Sequence, residues 1–441
     1  MIPQAVLLPK IIIITQIFKT KLMAQKSKQW AAIIMMIAHF AMIAFVTNLC
    51  SPMATIVKNQ FGASEAAGQI GNYANFIAYL VMGIPSGMLI SKLGYKKTAL
   101  AALLVGLAGI VLEYLSGVMG SYWVYLGGAF ISGLCMCMLN TVVNPLLNVL
   151  GGGGKTGNQL IQIGGAFNSA AAVAVYIMMG ALIGEVTKDT GISDATPALI
   201  IAGAIFAVAF IILLFTKIEE PEQAPVELKL ITGALSFRHF ALGALAIFTY
   251  MSVEVGTPTY MMSFLQTPEV GVSAGVAGLI ASVYWLMMFI GRSVGGSIGG
   301  MVSSRVMVST VATAAIILLA FGIFAPTSIK VDVPGIDWAN LSVVWTAVPV
   351  NVFAFILVGL CTSVMWGGIF NMAVEGLGKY TAAASGIFMT MVFGCAVMVW
   401  LQAVVADQVG YLNSYFIPLA CAAYILFYAL IGSRVSKKSE E

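Results

Sequence analysis

Apolar residues along this chain fall into long runs rather than into an alternating or helical-stripe pattern. Twelve runs are long enough to cross a hydrocarbon layer, which needs about 20 mostly apolar residues. They cover approximately 30–57, 66–90, 98–117, 121–149, 159–185 and 196–217, then 238–265, 271–297, 305–325, 345–375, 381–406 and 411–433. Transmembrane strands would alternate over about ten residues, and these runs do not. The pattern therefore predicts membrane-crossing helices. The widest hydrophilic break runs from Lys217 to Arg238 and carries Glu219, Glu220, Pro221, Glu222, Pro225 and Glu227. It separates six spans from six.

The expected organisation has five parts. Residues 1–29 form a cytoplasmic N-terminal segment, 30–217 one six-helix bundle, and 218–237 a cytoplasmic linker. Residues 238–433 form the second bundle and 434–441 a cytoplasmic tail. Ile11 to Ile14 make an apolar patch between Lys10 and Lys19 that is too short to span. Translation is expected to begin at Met23, downstream of it. A short repeat fits the two-bundle plan: Gly133-Leu134-Cys135 in the fourth run recurs as Gly359-Leu360-Cys361 in the tenth.

Composition narrows the class. Of 441 residues, 60% are hydrophobic and only 9% charged, against about a quarter in an average soluble domain. Mean hydropathy is +0.99. A soluble enzyme, a disordered scaffold and a disulfide-stapled secreted domain are excluded. Six cysteines all fall in apolar runs and read as buried small hydrophobes. The net charge of +4 reflects lysines at a membrane surface and gives no nucleic-acid footprint. Gly151 to Gly154 precede Lys155 without the ending of a phosphate-binding loop, so any transport must run on gradients.

Lys and Arg favour the cytoplasmic side. With the N-terminus inside, 18 of the 21 Lys and Arg residues lie there, Arg292 at the end of the eighth run among them. Only Lys58, Lys188 and Lys330 fall outside. Both termini are then cytoplasmic in a multi-pass protein of the cytoplasmic membrane.

Polar residues inside the runs are the informative ones. Acids are few, and only Glu254 in the seventh run lies well inside. Amides are many: Asn48, Gln69, Asn72, Asn75, Asn140, Asn144, Asn148, Gln162, Asn168, Asn351, Asn371 and Gln402. Asn140, Asn144 and Asn148 are four apart and share a helix face. Amides both donate and accept, as a polyol requires. Trp285, Trp366 and Trp400 could stack on sugar C–H faces. A catalytic constellation is missing: no clustered acids and no nucleophile beside a base stand out, and His39 and His239 are far apart. An enzyme is therefore not expected.

Several motifs resemble a known family. Gly87-Met88-Leu89-Ile90-Ser91-Lys92-Leu93-Gly94-Tyr95-Lys96-Lys97 resembles the gating loop between spans two and three of the major facilitator superfamily, with Ser91 where that family carries Asp. More specifically, the chain resembles the fucose–proton symporter family, which includes bacterial glucose/galactose transporters. The likeness lies in Asn75 to Tyr79, Ile84-Pro85, Asn144-Pro145, Phe167-Asn168-Ser169, Tyr250 to Glu254, Tyr284-Trp285 with Ile290-Gly291-Arg292, and Ser363 to Phe370 with Gly376 to Thr381. The resemblance implies the major facilitator fold, all-α with two six-helix bundles, alternating access, and a working monomer that moves a small-molecule sugar through membrane lipid.

The departures bear on coupling. Proton-coupled members resemble one another in an Asp in the first span and a Glu in the fourth. Here Asn48 to Pro52 hold no acid, and Asn140 stands where the Glu would be. Gly165 and Gly367 replace an expected Gln and Pro, and with Gly368 they are expected to make room for a substrate bulkier than a simple hexose. By the resemblance, loss of the loop acid at Ser91 would loosen the outward-facing state.

The expectation is a secondary transporter importing a hexose or related carbohydrate, coupled to H+ or Na+ through Glu254 and holding no cofactor or metal. The alternatives are an uncoupled facilitator and an exporter of amphipathic compounds. Asn75, Asn140, Asn144, Asn168, Glu254, Trp285 and Trp366 are expected to touch substrate. Gly87, Ser91, Lys92, Gly94, Lys96 and Lys97 are expected to form the gating loop.

Overall fold

The computed structural model describes residues 4–62, 65–68, 70–151, 154–183, 189–218, 220, 228–298, 301–337 and 342–435, with side chains described from residue 30 onward except at 51, 65, 66, 148, 154–158, 228, 337, 379 and 382. Among them are twelve helices long and apolar enough to cross a membrane. In the first half these are Trp30–Phe61, Ile70–Leu93, Tyr95–Met119, Tyr122–Leu147, Gln159–Ile183 and Ile192–Phe215. In the second half they are Arg238–Leu265, Ala274–Ile298, Ser304–Phe324, Asn351–Val374, Ala383–Val409 and Tyr411–Gly432. They are numbered here as spans one to twelve. The first belongs to a longer helix that starts at Gln4. Most of the expected linker acids and the tail beyond residue 435 lie outside the described residues.

Two connections are one residue long. Span two ends at Leu93 and span three starts at Tyr95, while span eleven ends at Val409 and span twelve starts at Tyr411. The residue between is glycine each time, at φ +84° for Gly94 and +90° for Gly410. Only glycine takes that conformation without strain, so these two positions permit the sharp reversals.

The tenth span is shorter than its sequence suggested. Ser342–Pro349 form a strand, β2, paired antiparallel with β1, Lys330–Asp337. The register places Pro334 opposite Trp345 and Ile336 opposite Val343. The apolar, β-branched sequence of β2 merges with the helix that follows, so hydropathy alone extends the span to 345. The helix begins at Asn351.

The repeated Gly-Leu-Cys triplet makes the same contact in both halves. A Cβ on Gly133 of span four would strike the Asn75 carbonyl of span two. A Cβ on Gly359 of span ten would strike the Tyr284 carbonyl of span eight. Each glycine lets two helix backbones meet, the usual close packing of membrane helices. Spans two and eight, and four and ten, are thus equivalent.

The halves differ in regularity. Span seven is α-helical over Arg238–Met251, widens to π-helix over Ser252–Gly256, and resumes over Thr257–Leu265. Span ten breaks at Ser363 and Val364. Span eleven tightens to 3₁₀ geometry over Met391–Phe393. Such irregular backbone inside a membrane is tolerated where it is buried in protein or lines a cavity.

Candidate functional site

A cavity of about 140 Å³ lies between the two halves, near the middle of spans one and seven. The first half contributes Phe40, Thr47, Asn48, Tyr79, Asn140, Asn144, Gln162, Gly165 and Asn168 to its wall, and the second Glu254, Trp285, Arg292, Ser363, Trp366 and Gly367. Six of the seven residues expected to touch substrate are brought together here: Asn140, Asn144, Asn168, Glu254, Trp285 and Trp366.

Asn75 is the exception. It does not line the cavity and is fully buried where span two packs on Gly133 of span four. Neither atom of its amide has a hydrogen-bond partner. Trp400 is also elsewhere, 47% exposed on the outer surface of the helix bundle.

The amides are oriented by the protein. Asn140 Nδ2 donates to the Tyr79 hydroxyl at 2.9 Å, and Asn144 Nδ2 to the Asn140 carbonyl at 2.9 Å. Asn48 Nδ2 donates to the Ala44 carbonyl, one turn back. In each, one of the two N–H groups is engaged, and the side-chain oxygen remains an available acceptor. Asn168 differs. Its Nδ2 donates to the Phe40 carbonyl of span one, and its Oδ1 accepts from Arg292.

Arg292 is the residue that the sequence misplaced. It lies six residues before the end of span eight, about 9 Å into the helix at 1.5 Å per residue. Instead of reaching out to the interface, its guanidinium enters the cavity. Nη2 meets Glu254 Oε1 at 3.2 Å, and the two side chains are 11% and 12% exposed. Nη1 donates to three groups of span five: the Gly165 carbonyl at 2.7 Å, Ser169 Oγ at 3.0 Å and Asn168 Oδ1 at 3.3 Å. One side chain thus connects both halves. A Cβ on Gly165 would come 3.3 Å from Arg292 Cδ, and one on Gly367 3.0 Å from Gln162 Nε2. Both glycines line the cavity, with the Arg292 and Gln162 side chains lying against them.

Glu254 owes its position to the π turn. A wider i→i+5 turn takes a carbonyl out of the normal ladder, and such bulges recur at functional sites. The Val253 carbonyl accepts instead from the Tyr284 hydroxyl of span eight at 3.3 Å, and that hydroxyl also meets Thr362 Oγ1 at 3.1 Å.

Two polar atoms in the wall are orphans. Trp285 is 5% exposed and its Nε1 has no partner, nor has the Thr47 hydroxyl. A buried donor without a partner costs about 1–3 kcal/mol. Trp366 is held edge-on by Phe388, with ring centroids 5.4 Å apart. On the side away from the chain termini, the Tyr73 and Tyr260 hydroxyls meet across the two halves at 3.3 Å. Tyr260 donates to the Val399 carbonyl at 2.9 Å, so Tyr73 is the donor between them.

The gating-loop residues lie together at the turn from span two to span three. Ser91 Oγ turns back to the Gly87 carbonyl of its own helix at 3.1 Å, and Lys92 and Lys97 are exposed. The carboxylate comes from elsewhere: Glu220, beyond span six, accepts from the backbone amides of Tyr95 at 2.7 Å and Lys96 at 2.9 Å. Lys96 Nζ closes the arrangement on the Leu214 and Thr216 carbonyls at 2.9 and 2.7 Å.

Twelve membrane helices in two equivalent bundles around a central cavity define a class of transporter. The profile of the Major Facilitator Superfamily matches residues 35–400, and the chain belongs to that superfamily. It is 27% identical over 403 residues to the glucose/galactose transporter of Brucella abortus, covering 90% of this chain and 92% of the relative. It is 22% identical over 424 residues to the L-fucose-proton symporter of Escherichia coli, covering 90% and 92%. Its fold matches the crystal structure of the superfamily transporter FucP in the outward conformation, with a TM-score of 0.72 and 20% identity over 92% of this chain and 100% of that one.

Proposed function

We propose that this protein imports a hexose or a closely related sugar across the cytoplasmic membrane by alternating access, with both termini in the cytoplasm. Rocking of the two bundles about the central cavity would expose the sugar to each side in turn. The observation that carries this reading is the chemistry of the wall. Asn140 and Asn144 offer oriented amide oxygens, the Trp285 Nε1–H and Thr47 hydroxyl lack partners, and the Trp366 indole offers a flat face. A polyhydroxylated ring answers all of these, and the names of the relatives are in keeping with it. An exporter of amphipathic compounds would need no such amide set.

The bias of Lys and Arg supports the orientation, and completion of the cavity by two halves of one chain supports a monomer as the working unit. Coupling to H+ or Na+ would have to act at Glu254, the one acid in the cavity wall among the described residues. The test is counterflow in proteoliposomes loaded with unlabelled fucose, glucose, galactose, mannose or N-acetylglucosamine. Trapping of the same labelled sugar is expected for at least one of them. Folded protein that exchanges none would overturn the reading.

A further inference from the structure

We propose that Arg292 is a built-in counter-charge for Glu254 that takes the place of a coupling cation, so that the sugar equilibrates without consuming an H+ or Na+ gradient. This rests on the reading of the protein as a sugar transporter.

The charge inventory comes first. Among the residues lining the cavity, Glu254 and Arg292 alone carry charge, and they are paired at 3.2 Å. The titratable neighbours of Glu254 on the surrounding spans are the Tyr250 and Tyr284 hydroxyls and the Cys395 thiol. None of them supplies a negative charge near neutral pH. Asn140 and Asn144 accept hydrogen bonds without holding a proton.

A transporter that couples a sugar to a cation needs an anionic site that is open when empty and neutralised when loaded. A bare carboxylate in a low-dielectric cavity is costly, and a cation from solution removes that cost. Here Arg292 offsets part of that cost from within the chain, and Glu254 is paired before any ion arrives. A Na+ placed against the carboxylate would also sit within a few ångströms of the guanidinium, where like charges repel strongly.

The guanidinium is held from the other half as well. Its three bonds to Gly165, Asn168 and Ser169 fix it beside Glu254 rather than leaving it to swing toward water. Empty and sugar-loaded cavities then carry the same net charge. The cycle moves no charge, and only the sugar's own gradient drives it.

The experiment uses the full chain in proteoliposomes, first in counterflow, then in net uptake under an imposed H+ gradient, a Na+ gradient or neither. Wild-type protein is expected to exchange sugar, to stop at equal concentrations under every gradient and to give no sugar-induced current. Arg292→Gln removes one partner of a buried pair, which is strongly unfavourable. Its uptake at neutral pH without Na+ is expected to fall about tenfold or more and to recover on acidification or addition of Na+. Arg292→Lys, which keeps a cation, and the double variant Glu254→Gln/Arg292→Gln, which removes both charges, are expected to remain indifferent to ions. Exchange together with uphill accumulation by wild-type protein on either gradient would overturn the inference alone, whether or not the variants fold. So would Arg292→Gln transport at wild-type rates at every pH and salt composition. Absence of exchange for any sugar would overturn the sugar reading itself and this inference with it.

Discussion

The two halves follow one helical plan but bring different chemistry to the cavity. The first half presents Asn48, Asn140, Asn144 and Asn168 from helices that stay regular through those positions. The second presents a carboxylate, a guanidinium and two indoles, and three of its six spans are interrupted near the cavity. Neutral amides need only a helix face, because their spare hydrogen-bonding capacity can be met one turn away, as Asn48 and Asn144 show. A buried carboxylate needs more. It requires a partner of opposite charge, and here the backbone around it is widened and its displaced carbonyl recapped by Tyr284. The π turn of span seven coincides with the buried carboxylate, whereas Arg292 stands on a regular helix.

The equivalence beneath this difference can be broken at the repeated glycines. Gly133→Val and Gly359→Val each drive a branched side chain into a backbone carbonyl that cannot retreat. Overpacking of this kind costs about 1–3 kcal/mol, and backbone contact places both variants at the upper end. Thermal unfolding of the purified variants in detergent should show two similar losses, the largest among the effects compared here. A large loss for one glycine alone would mean that the triplet repeat is coincidence.

The same contrast explains what could be read from the sequence. All twelve spans were legible because the membrane imposes length and hydropathy. Asn140 and Asn144 were legible because a four-residue spacing places both on one face. Asn75 was not, since sequence does not tell which face of span two meets a neighbour and which meets a cavity. Arg292 was misread because a positive residue near a helix end usually marks the interface. Its signal was its distance, six residues, from the end of an otherwise uncharged helix. The hairpin was hidden because β-branched Val343, Val344 and Thr346 run straight into an apolar helix. Glu220 lies too far from span three in sequence for its role there to be read.

Smaller effects sharpen the comparison within the cavity. Asn168→Ala leaves both the Phe40 carbonyl and the Arg292 guanidinium short of a partner. At about 1–3 kcal/mol for such orphaned groups, sugar affinity should fall about tenfold or more. Asn140→Ala removes one neutral bond to Tyr79 and the amide oxygen proposed to meet the sugar but leaves no charged group short of a partner, and its loss should be the smaller, about 1 kcal/mol. Asn75→Ala removes an amide that lies outside the cavity wall and has no hydrogen-bond partner. Its affinity should match wild type, with stability unchanged or raised. Quenching of the cavity tryptophans on sugar titration reads all three. An affinity loss for Asn75→Ala equal to that for Asn168→Ala would return Asn75 to the site.

The smallest expected difference lies at the equivalent starts of spans three and nine. Span nine is capped locally: Ser303 Oγ accepts from the Val306 amide at 3.4 Å. Span three has no cap of its own and takes a carboxylate from Glu220, with two bonds of 2.7 and 2.9 Å. Both devices satisfy free amides at a helix N-terminus, each worth about 1 kcal/mol. The carboxylate adds favourable interaction with the helix dipole, a few tenths of a kcal/mol that salt screens at an exposed site. Glu220→Ala should therefore destabilise slightly more than Ser303→Ala at low ionic strength, with the gap closing in high salt. Equal losses in both conditions would mean that Glu220 acts as a neutral acceptor. A Glu220→Ala variant as stable as wild type would mean that the loop between spans two and three is held by Lys96 alone.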